Sequence, residues 1–193
     1  EIMYNPAGPN DGLGEWIELY NRSLQTIDLT GWQLNNAVRF DFPVGTVISP
    51  NEYLLVAGNA TQFQQQYPDL SSIVGEFSGT LSNSTEMIVL LDQNGNPADE
   101  VTYYDNVPWP NQSDGNGATL ELRDADVDNS RAEAWAASDD RGKSTWQYVK
   151  YRGVGTSLPD TNDPDIWHEL VFGLLDAGEI LIDDISVVED PDG

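Results

Sequence analysis

GEWIELYN (residues 14–21) sets the pattern for the chain. Trp16, Ile17 and Leu19 stand among acidic and polar neighbours, so apolar side chains recur at short range with no helical period. AVRFDF (37–42) repeats the pattern more cleanly, with Val38, Phe40 and Phe42 alternating. EYLLVAG (52–58) alternates through Tyr53, Leu55 and Ala57. A period of two places alternate side chains on opposite faces of a strand, one toward a core and one toward water.

Working outward, EMIVLLD (86–92) and ADEVTYYD (98–105) flank Gln93, Asn94, Gly95 and Asn96. Asn-Gly between two strand-like runs predicts a hairpin, because both residues tolerate positive φ. ATLELRD (118–124) follows the turn QSDGNG and adds another strand. NATQFQQQYPD (59–69) predicts a short helix. Asn59 or Thr61 would cap it, Pro68 would stop it, and Phe63 and Tyr67 would share a face. SRAEAWAAS (130–138) predicts a further short turn. The expected architecture is an all-β sandwich with these as minor elements.

Composition agrees. The 193 residues include six Trp, eight Tyr and five Phe, enough apolar surface to offset the entropy of ordering. Seventeen Gly and eleven Pro suit many short strands. The absence of Cys removes disulfides and thiolate metal sites. No apolar run is long enough to span a membrane as a helix. A start at Glu1, without Met or a signal peptide, reads as a processed or excised piece.

The formal net charge is −25, from 33 acidic and 8 basic residues. Such a surface repels phosphates, so neither nucleic acid nor an anionic membrane is expected as a partner. It suits a saline, cation-rich exterior, which places the protein as secreted or at the cell surface. Solubility accounts for most of the acids.

The composition shifts near residue 139. DDRGKS (139–144) reads as a linker, and 145–193 as a β-rich extension or a truncated second β module. TWQYVKYRGV (145–154), WHELVFGLL (167–175) and EILIDDISVVED (179–190) supply its strands. Three strands cannot close a sandwich alone.

The order of EIMYNP (1–6), GEWIELYNRS (14–23), IDLTGWQL (27–34) and FDFPVGTVISPNEYLLVAG (40–58) resembles the lamin tail domain. The resemblance continues through LSNSTEMIVLLDQNGNPADEVTYYD (81–105) and WPNQSDGNGATLEL (109–122), and closes at 123–138. It implies an immunoglobulin-like β-sandwich over 1–138, in which a turn at Gly31 folds Trp32 under a sheet. It also implies an accessory interaction or scaffolding module of an exported bacterial protein, with no catalytic residues to carry over. WHELVFGLLDAGEILIDDISVVEDP (167–191) resembles the last strands of a galactose-binding-like jelly roll.

Sites for chemistry are few. Asp124, Asp126 and Asp128 alternate, and Asn129 adds an oxygen, so this loop could converge on calcium. It lacks the Gly and terminal Glu of an EF-hand, and the other reading is a solvated loop whose Asp side chains cap turns. Asp160, Asn162, Asp163 and Asp165 form a weaker acidic loop, and Asp92 with Asn94 and Asn96 reads as hairpin chemistry. Asp183 and Asp184 are adjacent on an expected strand, so they point apart and cannot act as an acid–base pair. The single His168 has no nucleophile motif beside it. Trp16, Trp32 and Trp135 read as core. Trp109, between two prolines, and Trp167 are the carbohydrate-stacking candidates; the alternative is that they pack the two segments together. Asn21, Asn59, Asn83 and Asn111 begin Asn-x-Ser/Thr triplets, read as chance in a bacterial protein.

These features point to a non-catalytic module that binds a protein or polysaccharide. A carbohydrate-binding module and a calcium-stabilised accessory domain of a hydrolase are the alternatives.

Overall fold

Alternating apolar residues give two sheets that close on each other in a computed structural model, which describes residues 1–7, 14–139, 150 and 185–186. Strands β1 (Ile2–Met3), β2 (Trp16–Tyr20), β7 (Tyr53–Ala57), β8 (Ile73–Glu76), β11 (Leu120–Leu122) and β12 (Trp135–Ala137) form one sheet. Its order is β12-β11-β1-β2-β7-β8, antiparallel except for the β7–β8 pair. The facing sheet has the order β10-β9-β4-β5, from β4 (Gln33–Asn36), β5 (Phe40–Asp41), β9 (Thr85–Leu91) and β10 (Pro97–Tyr104). A two-stranded ribbon, β3 (Ile27–Asp28) with β6 (Val47–Ile48), accompanies them.

The core lies between the sheets. Ile2, Ile17, Val56 and Leu120 of the first sheet meet Leu34, Phe40, Ile88 and Tyr103 of the second in one buried cluster. Val38 and Phe42 join it, as their alternation predicts. Burying a Leu, Ile or Phe side chain gives roughly 1.5–3 kcal/mol, so this cluster is the main source of stability.

The β7 expectation needs correction. Leu54 and Val56 face the sandwich core, whereas Leu55 and Ala57 are buried on the opposite face. That face is covered, not wet: α1 (Ala60–Gln66) lays Phe63 over Leu55, Ala57 and Trp16. Both faces of β7 are therefore apolar, which blurs its period. Asn59 caps α1, its Oδ1 accepting from Gln62 N–H at 2.8 Å. Trp16 thus serves this second cluster instead of the main core.

The turns follow their residues. Gly31 has φ +77°, a left-handed conformation that costs glycine little, and Trp32 N–H bonds Leu29 C=O across the turn. Trp32 then packs against the core. The β9–β10 hairpin forms as expected, with Tyr104 opposite Thr85. Its loop is organised by Asp92, whose Oδ1 accepts from Asn94 N–H and Asn96 N–H, both at 2.8 Å. The 130–138 segment holds a 3-10 turn, Ala132–Ala134, and also β12, a strand the sequence pattern did not reveal. The expected linker and extension lie outside the described residues, apart from Asp139, Lys150, Ile185 and Ser186.

Candidate functional site

Each candidate ligand in the Asp124–Asn129 loop has a structural partner. Asp124 Oδ1 accepts from Asp126 N–H at 2.9 Å. Asp126 pairs with Arg22 at 3.1 Å. Asp128 Oδ1 accepts from Ser130 Oγ–H at 2.6 Å, and its Oδ2 from Arg131 Nε–H at 3.2 Å. The Ser130 bonds, helped by Arg131, hold the Asp128 carboxyl below its ordinary value. Asn129 donates to Asp99 Oδ1 at 2.8 Å, and its backbone C=O accepts from Trp135 Nε1–H. Among the described residues, no group of three or more His, Asp or Glu is gathered as a metal would require. Asp124 and Asp128 thus cap turns within the loop, while Asp126 and Asn129 reach Arg22 and Asp99.

Trp109 differs from its expected exposure. It is 6% exposed, with its ring 5.9 Å from Tyr104 and 6.1 Å from Trp135. Its ring neighbours, Tyr104 and Trp135, belong to its own segment, so it packs within residues 1–138. Trp167 and the acidic loop at Asp160–Asp165 lie outside the described residues, as do His168, Asp183 and Asp184.

Two polar residues have roles that the sequence reading missed. Glu15 is 2% exposed, and its Oε2 accepts from Leu81 N–H at 2.7 Å. Asn21 is equally buried. Its Nδ2 donates to Gln25 C=O and Ile48 C=O, and its Oδ1 accepts from Ser23 N–H. A buried amide so fully bonded is a structural pin, whatever its Asn-x-Ser context. Both lie in GEWIELYN, where a polar residue beside an apolar run looks like the wet face of a strand.

One surface feature stands apart. A cleft of about 1190 Å³ is lined by residues of both sheets. Leu19, Trp32, Leu90, Val101 and Leu122 form its apolar floor. Eight carboxylates and two guanidinium groups line it, among them Glu1, Glu18, Asp99 and Glu121 against Arg22 and Arg123. Burial raises the Glu18 carboxyl above its ordinary value; the amino group at Glu1 opposes this, and the Glu1 and Glu121 carboxylates add to it. At the rim, Tyr20 and Tyr53 sit opposite each other in the β2–β7 register, with ring centres 4.7 Å apart. Both are exposed, and Tyr20 OH donates to Asn51 Oδ1.

Among the described residues, no helix is long and apolar enough to cross a membrane. No curated protein matches the chain. A family model does: the one described as Lamin Tail Domain covers residues 1–105, and β11 and β12 extend the first sheet beyond that match. With more than half its length matched and two β-sheets closed on one core, the chain belongs to the lamin tail domain family, an immunoglobulin-like all-β fold.

Proposed function

We propose that this domain is a non-catalytic interaction module of a larger exported bacterial protein. The observation that carries the reading is the match to the lamin tail domain family over residues 1–105, on a two-sheet all-β fold. The buried carboxylate, Glu15, is bonded to a backbone amide, as befits a structural acid. The acidic surface suits a cation-rich exterior. The test is a panel of glycoside, ester and peptide substrates. The module reading expects no turnover; hydrolysis abolished by changing one cleft carboxylate, such as Glu18→Gln, overturns it.

Polysaccharide binding is the second reading. With Trp109 in the core, it rests on the exposed Tyr20–Tyr53 pair, whose rings could stack on sugar faces. Affinity electrophoresis in polysaccharide gels tests it: retardation lost in Tyr53→Ala supports it, and unchanged mobility in every gel removes it.

A further inference from the structure

The loop between β9 and β10 carries a chemistry of its own. An asparagine can cyclise onto the backbone nitrogen of the residue that follows it. That nitrogen gives up its proton and attacks the side-chain amide carbon, a succinimide ring forms, and ammonia leaves. Water then opens the ring at either carbonyl. One opening leaves aspartate; the other leaves isoaspartate, with the chain running through the former side chain. Water is the sole co-reactant. The ring is favoured by a follower with no side chain to crowd the nitrogen, by an amide free to swing onto it, and by access for water.

Among the described residues, Asn94 alone combines all of these. Asn94 and the Gly95 that follows it are both exposed. The Asn94 N–H donates to Asp92 Oδ1 at 2.8 Å, and its carboxamide has no partner among the described residues. Asn116 also precedes a glycine, but its Nδ2 donates to Asn111 C=O at 3.2 Å and to Asp114 C=O at 2.9 Å. Both acceptors come earlier in the chain, so this amide is held back from the Gly117 nitrogen. Asn96 precedes Pro97, which has no N–H to give up, and its Nδ2 donates to Asp92 Oδ2 at 3.0 Å. The buried Asn21 is pinned by its own bonds and precedes Arg22.

The same loop also restrains the reaction. Gly95 N–H, the nucleophile, donates to Asp92 C=O at 2.9 Å. The Asp92 carboxylate closes the turn around it, with Oδ1 accepting from both Asn94 N–H and Asn96 N–H. Asn94 is therefore clamped through its backbone and free at its side chain. Ring closure waits on local opening of this clamp, whose frequency sets the rate.

We propose that Asn94 is a site of spontaneous covalent modification, converting to aspartate and isoaspartate through a succinimide with Gly95 at a rate governed by Asp92. The product sets a second carboxylate beside Asp92. The isoaspartate form also lengthens the backbone in a loop that lies against the Gly31 turn, where a Cβ on Gly31 would meet Gln93 Cβ at 3.6 Å.

The test incubates the full chain in mildly alkaline buffer and follows each asparagine by peptide mapping and mass spectrometry. Isoaspartate is separated from aspartate by chromatography, and an end-blocked peptide of residues 90–98 is the reference. Asn94 is expected to convert, more slowly than in the peptide, while Asn116 stays an amide. Asp92→Ala is expected to speed the conversion by about two- to tenfold, the worth of about one net hydrogen bond. Asp92→Asn keeps an acceptor oxygen and is expected to stay nearer the wild-type rate; it serves as the second variant if Asp92→Ala does not fold. An intact Asn94 when the reference peptide has converted overturns the proposal. Conversion of Asn116 as fast as Asn94 does so too, since the loop geometry would then decide nothing. An unchanged rate in folded Asp92→Ala removes Asp92 as the governing residue.

Discussion

Leu81 N–H donates to Glu15 Oε2 at 2.7 Å, joining residues 66 positions apart inside the fold. The carboxylate is buried, and through this bond it fixes the segment leading into β9 against the start of β2. Glu15→Ala leaves a buried N–H without its acceptor, a loss of about 2 kcal/mol or more. Glu15→Gln keeps an acceptor oxygen and costs less. Urea unfolding of the two variants checks this; equal midpoints for Ala and wild type would contradict it.

Asn21 makes a parallel case. Asn21→Ala removes one acceptor and two donations, leaving Ile48 C=O buried without its amide partner. The expected loss is about 2–3 kcal/mol. Asn21→Asp restores the acceptor but not the donors, so it should recover little. A stable Asn21→Asp variant would show that the donations matter less than the structure implies.

The two sheets approach closely where Gly75 of β8 meets Phe40 of β5. A Cβ on Gly75 would lie 2.8 Å from Phe40 Cε2, too close without movement of a core ring. Gly75→Ala is expected to destabilise by about 1–3 kcal/mol, as overpacking does. Pairing it with Phe40→Leu, which makes room, should recover part of the loss. Additive losses in that double variant would mean the strain lies elsewhere.

The two resolved classes of acid give opposite pH dependence. Hydrogen bonds from Thr30, Asn96 and Ser130 hold Asp28, Asp92 and Asp128 respectively below their ordinary range. Their contribution to stability is present above the unfolded value, about 3.9, and is lost as pH falls through the lower folded values. Glu18 is raised, so its contribution is greatest below the unfolded value, about 4.3, and fades as pH rises through the folded one. Glu18→Gln should therefore raise the melting temperature at pH ~7 and change it little at pH ~4. A lower melting temperature for Glu18→Gln at neutral pH would reverse the assigned sign.

For the Asp124–Asn129 loop, the turn bonds of Asp124 and Asp128 predict a metal-independent role. Asp128→Ala should lower the melting temperature equally in EDTA and in millimolar calcium, because it releases Ser130 and Arg131 in both. A calcium-dependent rise in the wild type, absent in Asp124→Asn, would instead assign the loop to the cation.

The sandwich was legible because its determinants are local. Alternation placed Val38, Phe40 and Phe42 in the core, and Gly31 and the Asp92–Asn96 run placed their turns. What stayed hidden depends on partners far along the chain. Glu15 and Asn21 look like wet strand residues until Leu81 and Ile48 are brought to them. Trp109 looks exposed between two prolines until Trp135 covers it. The covered outer face of β7 needs the position of α1 as well as its existence.

Hydrogen exchange followed amide by amide tests the two-sheet sandwich most directly. The account predicts slow exchange at Ile17, Leu19 and Val56, in the β2–β7 ladder at the centre of the first sheet. Rapid exchange at Ile17 and Val56 would contradict a closed core between the sheets.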